Sequence, residues 1–335
     1  MRARSLWFVG PRRVEIRPVE LDGDDPARPV IRTVVSGIST GTELLAYRGE
    51  IDPSVPLDDA LGALGGTFAF PFRYGYSCVG RVERPSPSFP EGASVFAFHP
   101  HQDFIAVDPA DAILVDGIEP HAATMLPLVE TALQVSMDAG AGPGEVVVVA
   151  GLGVVGLLTS LLLQRSGADV MGIEPRLDRR KLANDLGVVA IEPGEIADAV
   201  DERTDGAGAD LAIEASGRPD ALAAALGLLR HEGLALVASW YGTRRVELPL
   251  GGPFHRRRLT IRSTQVSTIP AVRSGRWDRA RRLRVARDLL PSLPLDAIGS
   301  KAFPFERASD AFEALDRGEP DVAHATLVYG GRERS

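Results

Sequence analysis

A chain of 335 residues, 44% hydrophobic and 24% charged, is long enough for two globular domains, each with an ample core. Its net charge of −8 gives no electrostatic support for a nucleic-acid partner. Cys78 is the only cysteine, which excludes an intrachain disulfide and a cysteine-rich zinc site and fits a reducing cytoplasm.

The N-terminus, MRARSLWFVG, is basic without a sustained apolar segment, so no signal peptide is expected. The first 120 residues lack helical periodicity. Short β-rich pieces are predicted at Ser5 to Val9, Val30 to Val35, Cys78 to Val82, Ser94 to Phe98 and Phe104 to Val107, separated by Gly and Pro clusters. They read as a small, mostly antiparallel barrel or sandwich. Ala122 to Ala139 reads as a helix, stopped by Gly140-Ala141-Gly142-Pro143-Gly144.

From Glu145 strands and helices alternate. Val146 to Val149 is a β-branched run suited to a strand buried on both faces. Gly151, Gly153 and Gly156 follow in the spacing G-x-G-x-x-G, a helix is expected over Leu157 to Gln164, and a strand over Asp169 to Ile173 ends at Glu174. The first glycine permits a tight turn, the second lets backbone approach a pyrophosphate, and the third lets helix pack on strand. The pyrophosphate would lie at the helix N-terminus, against free N–H groups and the dipole. Glu174, 23 positions after Gly151, is placed to accept from a ribose diol. Gly151, Leu152, Gly153, Val154, Val155, Gly156 and Glu174 are therefore the expected dinucleotide contacts. The nearly uncharged run Val146 to Leu163 has the length of a membrane span, but its spaced glycines and strand-like start argue for a buried βα unit.

Further helices are expected at Arg179 to Leu186, Ile196 to Glu202 and Pro219 to Leu229, with a short apolar piece at Val188 to Ile191. Strands are expected at Asp210 to Ala215, Leu234 to Trp240 and Leu259 to Val266. This is the pattern of a doubly wound parallel sheet. An Arg-rich helix (Trp277 to Leu290), a second helix (Phe305 to Arg317) and a last strand (Thr326 to Tyr329) close the chain.

The order and several local strings resemble the medium-chain dehydrogenase/reductase superfamily, the relatives of zinc alcohol dehydrogenase. Ser36 to Glu43, SGISTGTE, is similar to the family's S-G-I-C-G-T-D; Tyr74 to Val82, YGYSCVGRV, to its l-G-H-E-g-x-G-x-V; Gly208 to Gly217, GADLAIEASG, to its G-x-D-x-v-x-e-x-x-G. Pro304 to Gly318 is similar to its late p-l-e-x-x-x-x-A-f-e-l-l-x-x-G. The resemblance implies an α/β chain. A Rossmann sheet (122–267) would be inserted in a mostly antiparallel, GroES-like catalytic domain (1–121 and 268–335).

It also implies where a catalytic zinc would sit, and there the chain departs. Ser39 or Thr40 stands for the ligand Cys, and Tyr76 and Ser77 for the His-Glu pair. Glu130 falls where many members carry a Glu ligand, yet catalytic zinc normally has three protein ligands. No zinc is expected. GISTGTE and GYSCVG are closest to a zinc-less branch that includes bacteriochlorophyllide dehydrogenase.

Glu174 favours NAD(H); the following Arg176, Arg179 and Arg180 leave NADP(H) possible. Arg179 matches a family position near the adenosine ribose. Ser216, Ser239, Trp240 and Gln265 lie after parallel strands, at the edge where ligands bind. Without zinc, a hydroxyl, imidazole or backbone N–H must stabilise the carbonyl oxygen. The catalytic candidates are Tyr76, a proton donor or a packed aromatic; His101 and His99, a general acid, metal ligands or surface histidines beside Asp103; Thr42; and Glu130. Phe254 to Arg258 is a basic run. His324 is read as an exposed loop histidine.

The expected activity is zinc-independent hydride transfer between NAD(P)(H) and a small-molecule alcohol or carbonyl. Alternatives are an enone or quinone reductase, an epimerase or lyase with tightly held nucleotide, and a non-enzymatic nucleotide sensor. A cytoplasmic homodimer is expected, paired through the edge strand Leu259 to Val266, with no nucleic acid and no membrane as partner.

Overall fold

The computed structural model describes residues 2–21, 25–319 and 323–330. The chain divides into two compact units, one of residues 1–127 with 290–335 and one of residues 128–289.

The second unit holds six parallel strands. In chain order they are Val146–Ala150, Asp169–Ile173, Val189–Ile191, Ala209–Glu214, Leu229–Val237 and Thr260–Ser263. Their spatial order is third, second, first, fourth, fifth, sixth, so the direction of winding reverses between Val146–Ala150 and Ala209–Glu214. Val148 is paired with Met171 on one side and Ala212 on the other. Both faces of this strand are covered, which is why Val147, Val148 and Val149 are fully buried and the sequence there does not alternate. Ligands of such a sheet bind beyond the carboxyl ends of the strands at this reversal. The stretch that resembled a membrane span is this first strand followed by the helix Val154–Arg165. Among the described residues, no helix is long and apolar enough to cross a membrane.

The first unit is built on a seven-stranded, mostly antiparallel sheet. Val30–Ile38 lies at its centre, paired with Cys78–Arg84, Phe104–Ala106 and the late strand Ala325–Val328. The N-terminal strand Arg2–Gly10 forms a separate hairpin with Arg13–Glu20. Leu6, Phe8, Leu44, Tyr47, Phe72 and Phe312 pack together beneath these sheets, and Tyr76 leans on the same cluster. Thus the late helix Ala308–Arg317 shares a core with residues near the start of the chain.

The expected single helix Ala122 to Ala139 is two, Pro120–Ala123 and Leu126–Ala139. Leu234 to Trp240 is instead Leu229–Val237, extended backwards through an irregular stretch in which Glu232 has φ of 61°.

Candidate active site

In the second unit the strand Val146–Ala150 runs into the glycine turn. A Cβ on Gly156 would stand 1.9 Å from the carbonyl oxygen of Gly151, so helix and turn are in direct backbone contact. A Cβ on Gly153 would meet nothing closer than Arg179 Nη1 at 3.9 Å, so the outer side of the turn is open. The helix Val154–Arg165 begins at Gly153 with no side-chain cap. Its first N–H groups are therefore free to receive an anion.

Glu174 is buried beneath this turn. Its Oε2 accepts from the Leu152 N–H at 3.0 Å and its Oε1 from the Arg176 N–H at 3.0 Å. Of the three arginines that follow, Arg176 pairs with Asp178, and Arg180 donates to the carbonyls of Glu174 and Pro175. The Arg179 guanidinium stands 3.9 Å from the Glu174 carboxylate. Leu152 and Val154 are buried and Val155 half-buried, so these three supply backbone rather than side chain.

A second turn is held by a residue that sequence reasoning passed over. Glu214 Oε1 accepts from the N–H groups of Ser216 and Gly217 and from Ser216 Oγ, while Oε2 accepts from the Tyr241 hydroxyl at 2.7 Å. Ser239 Oγ accepts from the Gly217 N–H at 2.9 Å. Ser216 and Ser239 are thus joined at the strand ends. Trp240 is 43% exposed beside them, and Gln265, also exposed, accepts from the Ser267 N–H. The signal for Glu214 was the acid in GADLAIEASG.

Glu130 lies on the helix Leu126–Ala139 of the same unit and is tied to Arg282. Arg282 Nε donates to Glu130 Oε1 at 2.9 Å and its Nη2 stands 2.8 Å from the same oxygen; both side chains are buried.

In the first unit the short helix Thr42–Arg48 presents Thr42 and Glu43. The Tyr76 hydroxyl lies near the side chains of Ser39 and Thr42. Burial, reinforced by the nearby Glu43 carboxylate, raises its pKa well above the ordinary tyrosine value, against the opposing effect of those two hydroxyls. Tyr76 therefore stays protonated at neutral and moderately alkaline pH.

Behind Tyr76 runs a buried polar chain. Glu43 Oε1 accepts from the Ser39 N–H at 2.9 Å, and Glu43 Oε2 is 2.8 Å from His101 Nε2. His101 Nδ1 is 2.8 Å from Ser36 Oγ, which is 2.9 Å from the Tyr329 hydroxyl. His101 and Glu43 are both fully buried. Both imidazole nitrogens are engaged, so His101 has none left for a substrate proton. It is no surface histidine. Gly75, at φ of 114°, passes against it: a Cβ there would lie 2.7 Å from His101 Cδ2.

His99 is placed apart from Tyr76, its Nδ1 donating to the Pro100 carbonyl at 2.9 Å in the wall of a separate hollow. The structure thus brings together Tyr76, Thr42 and Ser39, with His101 behind them. Thr40 is half-buried at the head of the same helix. Among the described residues, no group of three or more His, Cys, Asp or Glu side chains is arranged to hold a metal ion.

His324 is buried rather than exposed, its Nε2 3.2 Å from Thr124 Oγ1. Burial first, and His121 second, lower its pKa from 6.5 to about 4. Between these values the unfolded chain takes up a proton that the folded chain refuses, so stability falls as pH falls through this window. A His324→Gln variant is expected to lose less stability than the parent, by about 2 kcal/mol, when moved from about pH 7.5 to about pH 5. Equal losses in denaturant titrations would contradict this.

The description "Zinc-binding dehydrogenase" belongs to a family model that matches residues 154–283. L-galactonate-5-dehydrogenase of Escherichia coli is 28% identical over 177 residues, 50% of this chain and 51% of that protein. The 2-desacetyl-2-hydroxyethyl bacteriochlorophyllide A dehydrogenase of Cereibacter sphaeroides is 31% identical over 98 residues, 29% of this chain and 27% of that protein. These matches span about half or less of each relative's length. The structure of 2R,3R-butanediol dehydrogenase from Bacillus subtilis superposes with a TM-score of 0.79 at 18% identity, covering 97% of this chain and 99% of that one, which establishes the fold. Residues 154–283 thus match a dehydrogenase family model, parts of the chain are similar to these dehydrogenases, and the fold is the one that the butanediol dehydrogenase has.

Proposed function

We propose that this protein is an oxidoreductase that moves a hydride between NAD(P)(H) and a small-molecule alcohol or carbonyl carbon, without zinc. The observation that carries this reading is the open glycine turn at the uncapped start of Val154–Arg165, with Glu174 folded beneath it. A bound nicotinamide cofactor would supply or accept the hydride. The N–H groups after Gly153 would hold its pyrophosphate and Glu174 its ribose diol. Glu174 sits beside the turn as a buried carboxylate, which supports NAD(H) over NADP(H). The names of the relatives point to sugar acids and other small alcohols as the substrate class.

The donor set supports a zinc-free site. Glu130 is neutralised by Arg282, both nitrogens of His101 are taken, and the His of the family motif is Tyr76. Neutral Tyr76 can donate to the carbonyl oxygen as that oxygen gains charge, with the Ser39 and Thr42 side chains nearby. No step passes through a metal. The strand Thr260–Ser263 ends its sheet with Thr260, Arg262 and Ser263 exposed, which supports a homodimer paired along that edge.

Fluorescence titration with NADH and NADPH tests the cofactor reading. NADH is expected to bind more tightly, and Gly156→Ala to weaken it by about tenfold or more, because the new methyl displaces the Gly151 carbonyl. Tighter binding of NADPH, or an unaffected alanine variant, would overturn the assignment.

A further inference from the structure

His99 and its neighbours form a feature that the hydride-transfer reading does not use. They wall a hollow of about 290 Å³ in the first unit, together with Arg28, Arg73 and Gln102. Arg73 is half-buried, and among the described residues it makes no ion pair with a carboxylate. Its Nη1 donates to Gln102 Oε1 at 3.2 Å, and Gln102 is itself buried. The guanidinium carbon lies 5.7 Å from the Trp7 ring centre. The Trp7 indole N–H is buried and has no acceptor among the described residues. Trp7 and Arg73 also line an adjoining hollow of about 440 Å³.

We propose that this hollow is an anion site for a small carboxylate or phosphate, with Arg73 as its principal contact. A partly desolvated guanidinium with an unfilled donor fork favours a planar or tetrahedral oxyanion. Three carboxylates share the wall, and each is otherwise engaged. Glu20 accepts from Arg2 at 3.3 Å, Asp108 accepts from the Ala110 N–H at 2.9 Å, and Asp111 makes further contacts of its own. Burial first, and then Arg73, His101 and Arg28, lower the pKa of His99 to about 4. Its Nδ1 donates to the Pro100 carbonyl, so in the neutral ring Nε2 carries the lone pair, and a bound anion would favour its protonation.

Calorimetric titration of the full chain with sodium succinate and, separately, with sodium phosphate, at low ionic strength and against a sodium chloride control, tests this without reference to catalysis. Saturable binding of at least one is expected, weakened about tenfold or more in Arg73→Ala and partly restored in Arg73→Lys. Binding of succinate alone assigns a carboxylate ligand, and of phosphate alone a phosphorylated one. Should Arg73→Ala not fold, the histidine NMR spectrum of the unaltered protein decides, because a bound anion must raise the His99 pKa. Binding no stronger than chloride, an alanine variant that binds equally well, or a His99 resonance indifferent to the anion would overturn the proposal.

Discussion

Replacing Arg282 with alanine is expected to destabilise the protein by about 3–5 kcal/mol, the loss typical of breaking a buried ion pair from one side. Arg282 is 1% exposed and makes contacts in several directions. It pairs with Glu130, donates to Gln134 Oε1 at 2.5 Å, and donates to the carbonyl of Val266. These contacts tie together the helices Leu126–Ala139 and Arg279–Leu289 and the segment that leaves the last parallel strand. Truncation leaves Glu130 buried without a counter-ion, and its carboxyl is one whose pKa burial already raises despite Arg282. It also strips the Val266 carbonyl of a donor. The double variant Arg282→Met with Glu130→Leu removes both charges and is expected to recover most of the loss. Urea titration distinguishes the cases. A single variant within about 1 kcal/mol of the parent would mean that Glu130 is held by something other than this pair.

Tyr76→Phe is expected to lower kcat by about 10²–10⁴-fold while leaving nucleotide affinity unchanged. The substitution removes one hydroxyl. It is kept protonated by burial and by the Glu43 carboxylate, with the Ser39 and Thr42 side chains nearby. Its raised pKa predicts that carbonyl reduction does not fall off on the alkaline side through Tyr76 ionisation until well above the ordinary tyrosine pKa of about 10. His101→Ala is expected to act differently. It empties a fully buried position and leaves Glu43 and Ser36 unpaired, so the cost falls on folding before it falls on turnover. A Tyr76→Phe enzyme with unchanged kcat, measured on the same alcohol and carbonyl panel, would remove Tyr76 from the chemistry.

The parallel sheet was legible because strands buried on both faces read as unbroken apolar runs, and because its glycine turn has a spacing with a steric cause. The strand Asp169–Ile173 falls where Glu174 and the apolar run placed it. The hairpin strand Arg13–Glu20 was hidden by its charges and by Pro18, which an edge can tolerate opposite Arg4. The helix Thr42–Arg48 has only seven residues, too few to show a period, yet it carries Glu43. Glu43 meets His101 across 58 positions, and Arg282 meets Glu130 across 152. Pairings at such separations leave no mark on local pattern. Arg282 in particular sits in a run of arginines that reads as a solvated face, and only the fold shows that one of them points inward.

The most direct test of the account is turnover measured against metal content. Protein purified with a strong chelator and analysed for metals is expected to contain no stoichiometric zinc and to oxidise or reduce a nicotinamide cofactor with a small alcohol or carbonyl at the same rate as untreated protein. A tightly bound equivalent of zinc, whose removal abolishes that turnover and whose return restores it, would contradict the account.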